Sequence, residues 1–340
     1  MKAAILEKLK NPLVIKEIKL SKLQYGQVLV KLSYSGICHS QLMEVRGKRG
    51  QDPYLPHLLG HEGTGEVIEV GQGVTKVKKG DKVILGWIKA EGIDATPANY
   101  FYNDQKINSG KVTTFNEYSI VSENRVVLLP QGVPMDIGVL FGCAIPTGAG
   151  LIFNELKPKE NSTIAIFGLG GIGLSALIAA NLFKPSKLIA IDIEEEKLNL
   201  AKEFGATHMI NSKKQNVKEE IETLTKVGVD YCVEASGLAK VIELAFETLN
   251  RNGLLIFASH PQYGDKISID PFELICGKQI KGSWGGDSNP DSDIPKFAKL
   301  YLEGKFPLEK LLSPAYKLED INFALDDLEN RKITRALIKM

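Results

Sequence analysis

The 340-residue sequence predicts an α/β protein of two domains. One is a doubly wound parallel sheet in the middle of the chain; the other is a mainly-β domain formed by the N-terminal part and completed by the C-terminal tail. Three observations carry this prediction. From Ser162 onward, short β-branched runs alternate with helical patterns. Before about residue 130 similar runs are separated by glycine turns instead. After Gly286 the remaining segment is too short to bury a core of its own. The expected boundaries are 1–145 with 288–340 for the mainly-β domain and 146–287 for the parallel-sheet domain.

Each element follows from local pattern. In the N-terminal part, Val28–Leu32 and Val67–Val70 read as strands, and Lys82–Leu85 follows the turn Lys79-Gly80-Asp81. In the middle, Thr163–Phe167 reads as a buried strand and Ile172–Phe183 as a helix. Lys187–Ile191 is the next strand, and Glu194–Phe204 the next helix, stopped by Gly205. Val229–Val233 and Gly253–Phe257 continue the series. The tail holds a helix near Ile294–Leu302 and a short strand, Ala336–Ile338.

Composition excludes several functions. Lys plus Arg number 42 against 41 Asp plus Glu, a net charge of +1, so no basic field exists to hold nucleic acid or an anionic membrane. Four cysteines are too few for a disulfide framework in so long a chain, which points to cytoplasmic thiols and metal ligands. The apolar run at Met1–Leu6 is too short for a signal peptide. Asn161–Phe183 carries no charge, but its clustered glycines fit a buried strand turning into a buried helix better than a membrane span.

Gly168-Leu169-Gly170-Gly171-Ile172-Gly173 matches G-x-G-x-x-G, follows a strand and opens a helix, and Asp192 ends the next strand. That context predicts a dinucleotide pyrophosphate at the helix N-terminus. Asp192 would hydrogen-bond the adenosine ribose and repel a 2′-phosphate, favouring NAD over NADP. Lys197 is a further ribose candidate, while Glu194, Glu195 and Glu196 fit the acidic first turn of a helix. The alternative is a structural glycine turn with Asp192 as a helix N-cap.

Cys38, His61 and Cys143 lie in Gly36-Ile37-Cys38-His39-Ser40, Gly60-His61-Glu62-Gly63-Thr64-Gly65 and Gly142-Cys143-Ala144, each among small residues at the edge of an element. Two thiolates and one imidazole would leave the fourth position of a tetrahedral zinc open, the catalytic pattern. Cys232 and Cys276 sit in apolar runs and read as small hydrophobes.

These motifs, with Gly80-Asp81-Lys82-Val83 and Gly282-Ser283-Trp284-Gly285-Gly286, make the chain resemble the zinc-dependent medium-chain alcohol dehydrogenases over nearly its whole length. The resemblance implies a Rossmann-type NAD domain and a GroES-like catalytic domain. It implies one catalytic zinc on Cys38, His61 and Cys143, with Glu62 as an exchangeable or neighbouring carboxylate. Ser40 would take the alcohol proton; His39 and Arg335 would touch the pyrophosphate and Thr147 the nicotinamide. Trp87 would wall the substrate pocket, unless it is a core aromatic. The reaction implied is reversible hydride transfer between an alcohol and NAD, with both reactants held in the cleft between the domains. A homodimer or homotetramer is implied as well.

Three departures stand out against that pattern. Ile88–Tyr118 contains no cysteine, so a second, structural zinc is not expected. Met43 replaces the histidine that commonly ends the proton relay, and Gln41 replaces the acid that orients the ligand histidine. Related polyol dehydrogenases often carry a carboxylate as third ligand, so Cys143 leans toward the alcohol or aldehyde branch. The alternatives are a polyol or sugar dehydrogenase and a non-catalytic NAD-binding scaffold.

Overall fold

In the computed structural model, which describes residues 1–340, the apolar run Thr163–Phe167 is a central strand of a six-stranded, wholly parallel sheet. The order across the sheet is His208–Asn211, Lys187–Asp192, Thr163–Phe167, Val229–Glu234, Leu249–Phe257 and Gln279–Gly282. Winding therefore reverses between Thr163–Phe167 and Val229–Glu234, the topological switch point at which such sheets take ligands. The charge-free stretch resolves into that strand and the helix Gly171–Asn181, which buries eight residues around its circumference. No single helix in the structure is long and apolar enough to cross a membrane. The two edge strands, His208–Asn211 and Gln279–Gly282, escaped the sequence reading because each is only four residues long, too short for a pattern to stand out.

This sheet belongs to a compact unit spanning Ala144–Ser288; a second unit comprises Met1–Cys143 and Asn289–Met340. The sequence boundaries lie one or two residues from these. The second unit is mainly β, and its organising element is the eleven-residue strand Gln27–Ile37. That strand pairs antiparallel with Glu62–Val70, Tyr118–Ser122 and the tail strand Ala336–Lys339. Pairing of Ala336 with Ile37 is what ties the tail into this unit. It is sealed by a core of Ile37, Leu42, Val45, Phe115, Ile321, Leu325 and Ile338, all nearly inaccessible.

The register has a chemical consequence. Cys38 leaves the end of Gln27–Ile37, Arg335 precedes Ala336, and Glu62 opens its strand opposite Gly86, so Trp87 follows at the same level. One end of one sheet thus collects residues scattered over three hundred positions.

The segment at 88–118 holds no cysteine and is fastened by hydrogen bonds instead. The buried Glu123 carboxylate accepts from the backbone N–H groups of Thr75 (2.7 Å), Lys76 (2.9 Å) and Ile93 (2.7 Å). Burial alone would raise its pKa, yet these three donors hold it below the usual carboxylate range. Asp94 adds an ion pair to Lys111 and accepts from Asn124, which together bring its carboxyl down to about 2. Replacing Glu123 with alanine orphans three backbone donors. The expected cost is about 3 kcal/mol or more in urea unfolding; a loss below about 0.5 kcal/mol would show that the segment is fastened elsewhere.

Candidate functional site

Cys38 stands at the N-cap of the short helix His39–Val45, His61 just before the strand Glu62–Val70, and Cys143 just after the turn Val139–Gly142. Their ligand atoms all lie within 4.8 Å of one another, with Cys38 Sγ and Cys143 Sγ 3.9 Å apart. A tetrahedral zinc with Zn–S bonds of about 2.3 Å separates two sulfurs by about 3.8 Å. His61 Nε2 is buried and has no hydrogen-bond partner, while Nδ1 is taken by Gln41 Nε2 at 2.5 Å. An orphaned imidazole nitrogen beside two buried thiols is the donor set a zinc ion satisfies. The residues present therefore fit the metal.

Electrostatics agree with that fit. Cys143 donates toward Cys38 and, with His61 and Arg335 nearby, holds the Cys38 thiol well below its ordinary range despite its burial. Cys143 is pushed the opposite way, first by Cys38, then by burial and by Glu62. One thiol keeps its proton until a cation compensates the second negative charge.

Glu62 is fully buried and carries both carboxylate oxygens on Arg335 Nη2; Arg335 itself is 4% exposed. Burial raises the Glu62 pKa against the pull of Arg335. The guanidinium is held charged against its own burial by Glu62 and the two thiols. Gly36 is what allows this: a Cβ there would lie 2.7 Å from the Glu62 carboxyl carbon. Two of the expected site residues meet in this pair. Glu62 points at Arg335 and is not among the three residues whose ligand atoms converge. Arg335, expected at the pyrophosphate, spends Nη2 on Glu62 and leaves its Nε buried without a partner. The two lie 273 positions apart in the sequence, so no local pattern would reveal the pair.

Ser40, in the first turn of His39–Val45, has a buried Oγ with no partner. His39 beside it is exposed. Trp87 is half-buried with its ring 6.3 Å from that of His61, so it is a neighbour of the site rather than a core aromatic. Met43 and Gln41 are both buried.

In the parallel-sheet unit the glycine loop joins Thr163–Phe167 to Gly171–Asn181. A Cβ on Gly173 would lie 1.8 Å from Gly168 O, so only glycine permits the strand and helix to meet so closely. Gly170 caps the helix without any side-chain acceptor, leaving the first N–H groups of Gly171 and Ile172 for a ligand. Asp192 is 9% exposed; its Oδ2 accepts from Leu169 N–H at 2.7 Å and its Oδ1 from Ile193 and Glu194 N–H. The following helix is capped by Glu194, not Asp192. Asp192 thereby ties the loop to the second strand and keeps further lone pairs. Lys197 is half-buried in that helix, and Thr147, in the helix Ala144–Gly150, has a buried Oγ1 without a partner.

The sequence reading missed Glu234. It ends the strand beside Phe167, at the foot of the glycine loop. Its Oε1 accepts from Ser236 N–H (2.6 Å), the Ser236 hydroxyl and Gly237 N–H (3.0 Å), but Oε2 is buried with no partner. Burial raises the carboxyl from 4.5 to about 7. The folded state thus keeps a proton that the unfolded chain releases near 4.5. The stability this group contributes is complete below that value and is lost as pH rises through about 7, some ~3 kcal/mol in all. Glu234→Gln should become progressively more stable than wild type across this window in chemical unfolding; a pH-independent difference would contradict the assignment.

Comparison with known proteins places this arrangement. Residues 24–131 match the alcohol dehydrogenase GroES-like domain, and residues 171–303 match the zinc-binding dehydrogenase domain. An S-(hydroxymethyl)glutathione dehydrogenase of Photobacterium damsela subsp. piscicida is 33% identical over 96% of both chains. Alcohol dehydrogenase 1 of Pisum sativum is 30% identical over all of this chain and 97% of its own. Among solved structures, benzyl alcohol dehydrogenase from Acinetobacter calcoaceticus superposes with a TM-score of 0.90 at 30% identity, covering 100% of this chain and 99% of that one. The chain belongs to the zinc-dependent, medium-chain alcohol dehydrogenase family.

Proposed function

We propose that this oxidoreductase interconverts an alcohol bearing an apolar substituent and its aldehyde or ketone with NAD, using a single zinc held by Cys38, His61 and Cys143. The observation carrying the proposal is the convergence of two thiols and an unpartnered imidazole nitrogen, with the unpartnered Ser40 hydroxyl two residues beyond Cys38. When bound there, zinc supplies Lewis-acid polarisation of the alcohol oxygen.

The protein's own residues divide the remaining work. Ser40 takes the hydroxyl proton, for which its buried Oγ is available. Met43 is buried and apolar, so it offers no proton-carrying group where a histidine would, and the proton must leave Ser40 by another path. Trp87, beside His61, offers an aromatic surface to the substrate. The N–H groups at Gly170, Gly171 and Ile172, made accessible by Gly168 and Gly173, receive the pyrophosphate. His39 and the Arg335 Nε supply donors to it, and Thr147 a hydroxyl to the nicotinamide. Asp192 and Lys197 hold the adenosine ribose, and the Asp192 carboxylate repels a 2′-phosphate.

Cys143 as third ligand, where a carboxylate would suit a polyol, supports the alcohol branch. The thiol ligands require a reducing compartment, which supports a cytoplasmic location. The exposed edge strand Gln279–Gly282, with Phe272 and Ile275 exposed nearby, supports a homodimer or homotetramer formed through that edge. The test is NAD reduction by zinc-replete protein over aromatic, primary, secondary and polyol alcohols. Turnover should favour apolar alcohols, and Ser40→Ala should lower kcat by about 10²-fold or more with zinc content unchanged. Preference for polyols, or no turnover at all, would overturn the reading.

A further inference from the structure

Gln41 sits between two groups that both need an acceptor once metal is bound. It is 3% exposed and lies in the helix whose N-cap is Cys38. Its Oε1 accepts from the buried Cys38 backbone N–H at 3.2 Å, and its Nε2 lies 2.5 Å from His61 Nδ1. In this arrangement the amide donates to Nδ1, so the ring proton resides on Nε2, the nitrogen that has no partner. A metal on Nε2 needs that lone pair, which moves the ring proton to Nδ1 and turns Nδ1 into a donor. Two donors then face each other across 2.5 Å.

Turning the amide over relieves that contact but presents its NH₂ to the Cys38 N–H. A carboxamide has one oxygen, so either sense of the group leaves one of the two N–H donors without an acceptor. A carboxylate at the same place has two oxygens and serves both. We infer that Gln41 is a positioning residue that makes zinc loading reverse its amide and release the Cys38 N–H, so that this site holds zinc more loosely than a carboxylate at position 41 would. The inference rests on the reading of Cys38, His61 and Cys143 as the ligands, but it concerns how firmly they hold rather than whether they do.

Two measurements on the full-length protein test it. Zinc affinity is read by competition with a chromophoric chelator in wild type and Gln41→Glu. Backbone amide exchange at Cys38 is read in both proteins, with and without zinc. Gln41→Glu is expected to bind zinc about 10–100-fold more tightly. Cys38 N–H exchange in wild type should accelerate on zinc loading, against the slowing that metal brings to its neighbours, and should not accelerate in Gln41→Glu. Equal affinities overturn the inference. So does tighter binding with Cys38 exchange slowed by zinc in both proteins, because added charge alone would then account for the gain. Should Gln41→Glu not fold, the wild-type exchange decides by itself. Wild type that loads one zinc per chain but shows an unchanged Gln41→Glu sinks this inference and leaves the site intact; wild type that binds no zinc sinks both.

Discussion

Cys38→Ser is expected to lose its zinc and, with it, turnover by about 10³-fold or more, while NAD binding stays close to wild type. The magnitude follows from losing a Lewis acid worth several kcal/mol of transition-state stabilisation. The separation follows from the fold. Cys38 belongs to the unit formed by Met1–Cys143 and Asn289–Met340, whereas the glycine loop and Asp192 belong to Ala144–Ser288, which has its own core around Ala165, Ile189, Cys232 and Leu255. Metal analysis and NAD titration by fluorescence check the two halves independently. Retained turnover in zinc-free Cys38→Ser protein would refute the metal's role; concurrent loss of NAD binding would show that the variant had damaged more than the site.

Arg335→Met is expected to be the most destabilising single change near the site, by about 3–5 kcal/mol. It leaves the fully buried Glu62 carboxylate without its counter-charge, and it removes the cation that helps hold Cys38 as thiolate. Glu62→Gln combined with Arg335→Met should recover much of the loss, since no uncompensated charge then remains buried. A double-mutant cycle in urea measures the coupling. If the double variant is as unstable as Arg335→Met alone, the cost lies in packing of the long side chain rather than in charge.

The sequence reached far in some places and stopped in others, and the reasons are physical. Four of the six parallel strands were legible because each holds a buried apolar core run; Thr163–Phe167 has the same limits in the structure as in the sequence reading. Cys38, His61 and Cys143 were legible because bulky ligands at element ends sit among small residues. Gly36 shows why: its missing Cβ makes room for Glu62. What escaped were long-range partnerships. Nothing near Arg335 announces Glu62, and nothing near Glu234 announces a carboxyl held without a partner beneath the glycine loop. Gln41 was legible only in half. Its approach to His61 follows from position, but its competing bond to the Cys38 N–H exists only once the helix has turned.

The same contrast explains the cysteine-free segment at 88–118. Absence of four cysteines predicts absence of a structural zinc but does not say what fastens the segment. A buried carboxylate, Glu123, does so, reaching three backbone donors on two separate stretches of chain.

Zinc K-edge X-ray absorption on the zinc-loaded wild-type protein tests the central claim most directly. The site described here predicts one zinc per chain with two sulfur ligands at about 2.3 Å and the remaining nitrogen and oxygen ligands at about 2.0–2.1 Å. A first shell without sulfur, a shell of four sulfurs, or protein that retains no zinc after dialysis would contradict it.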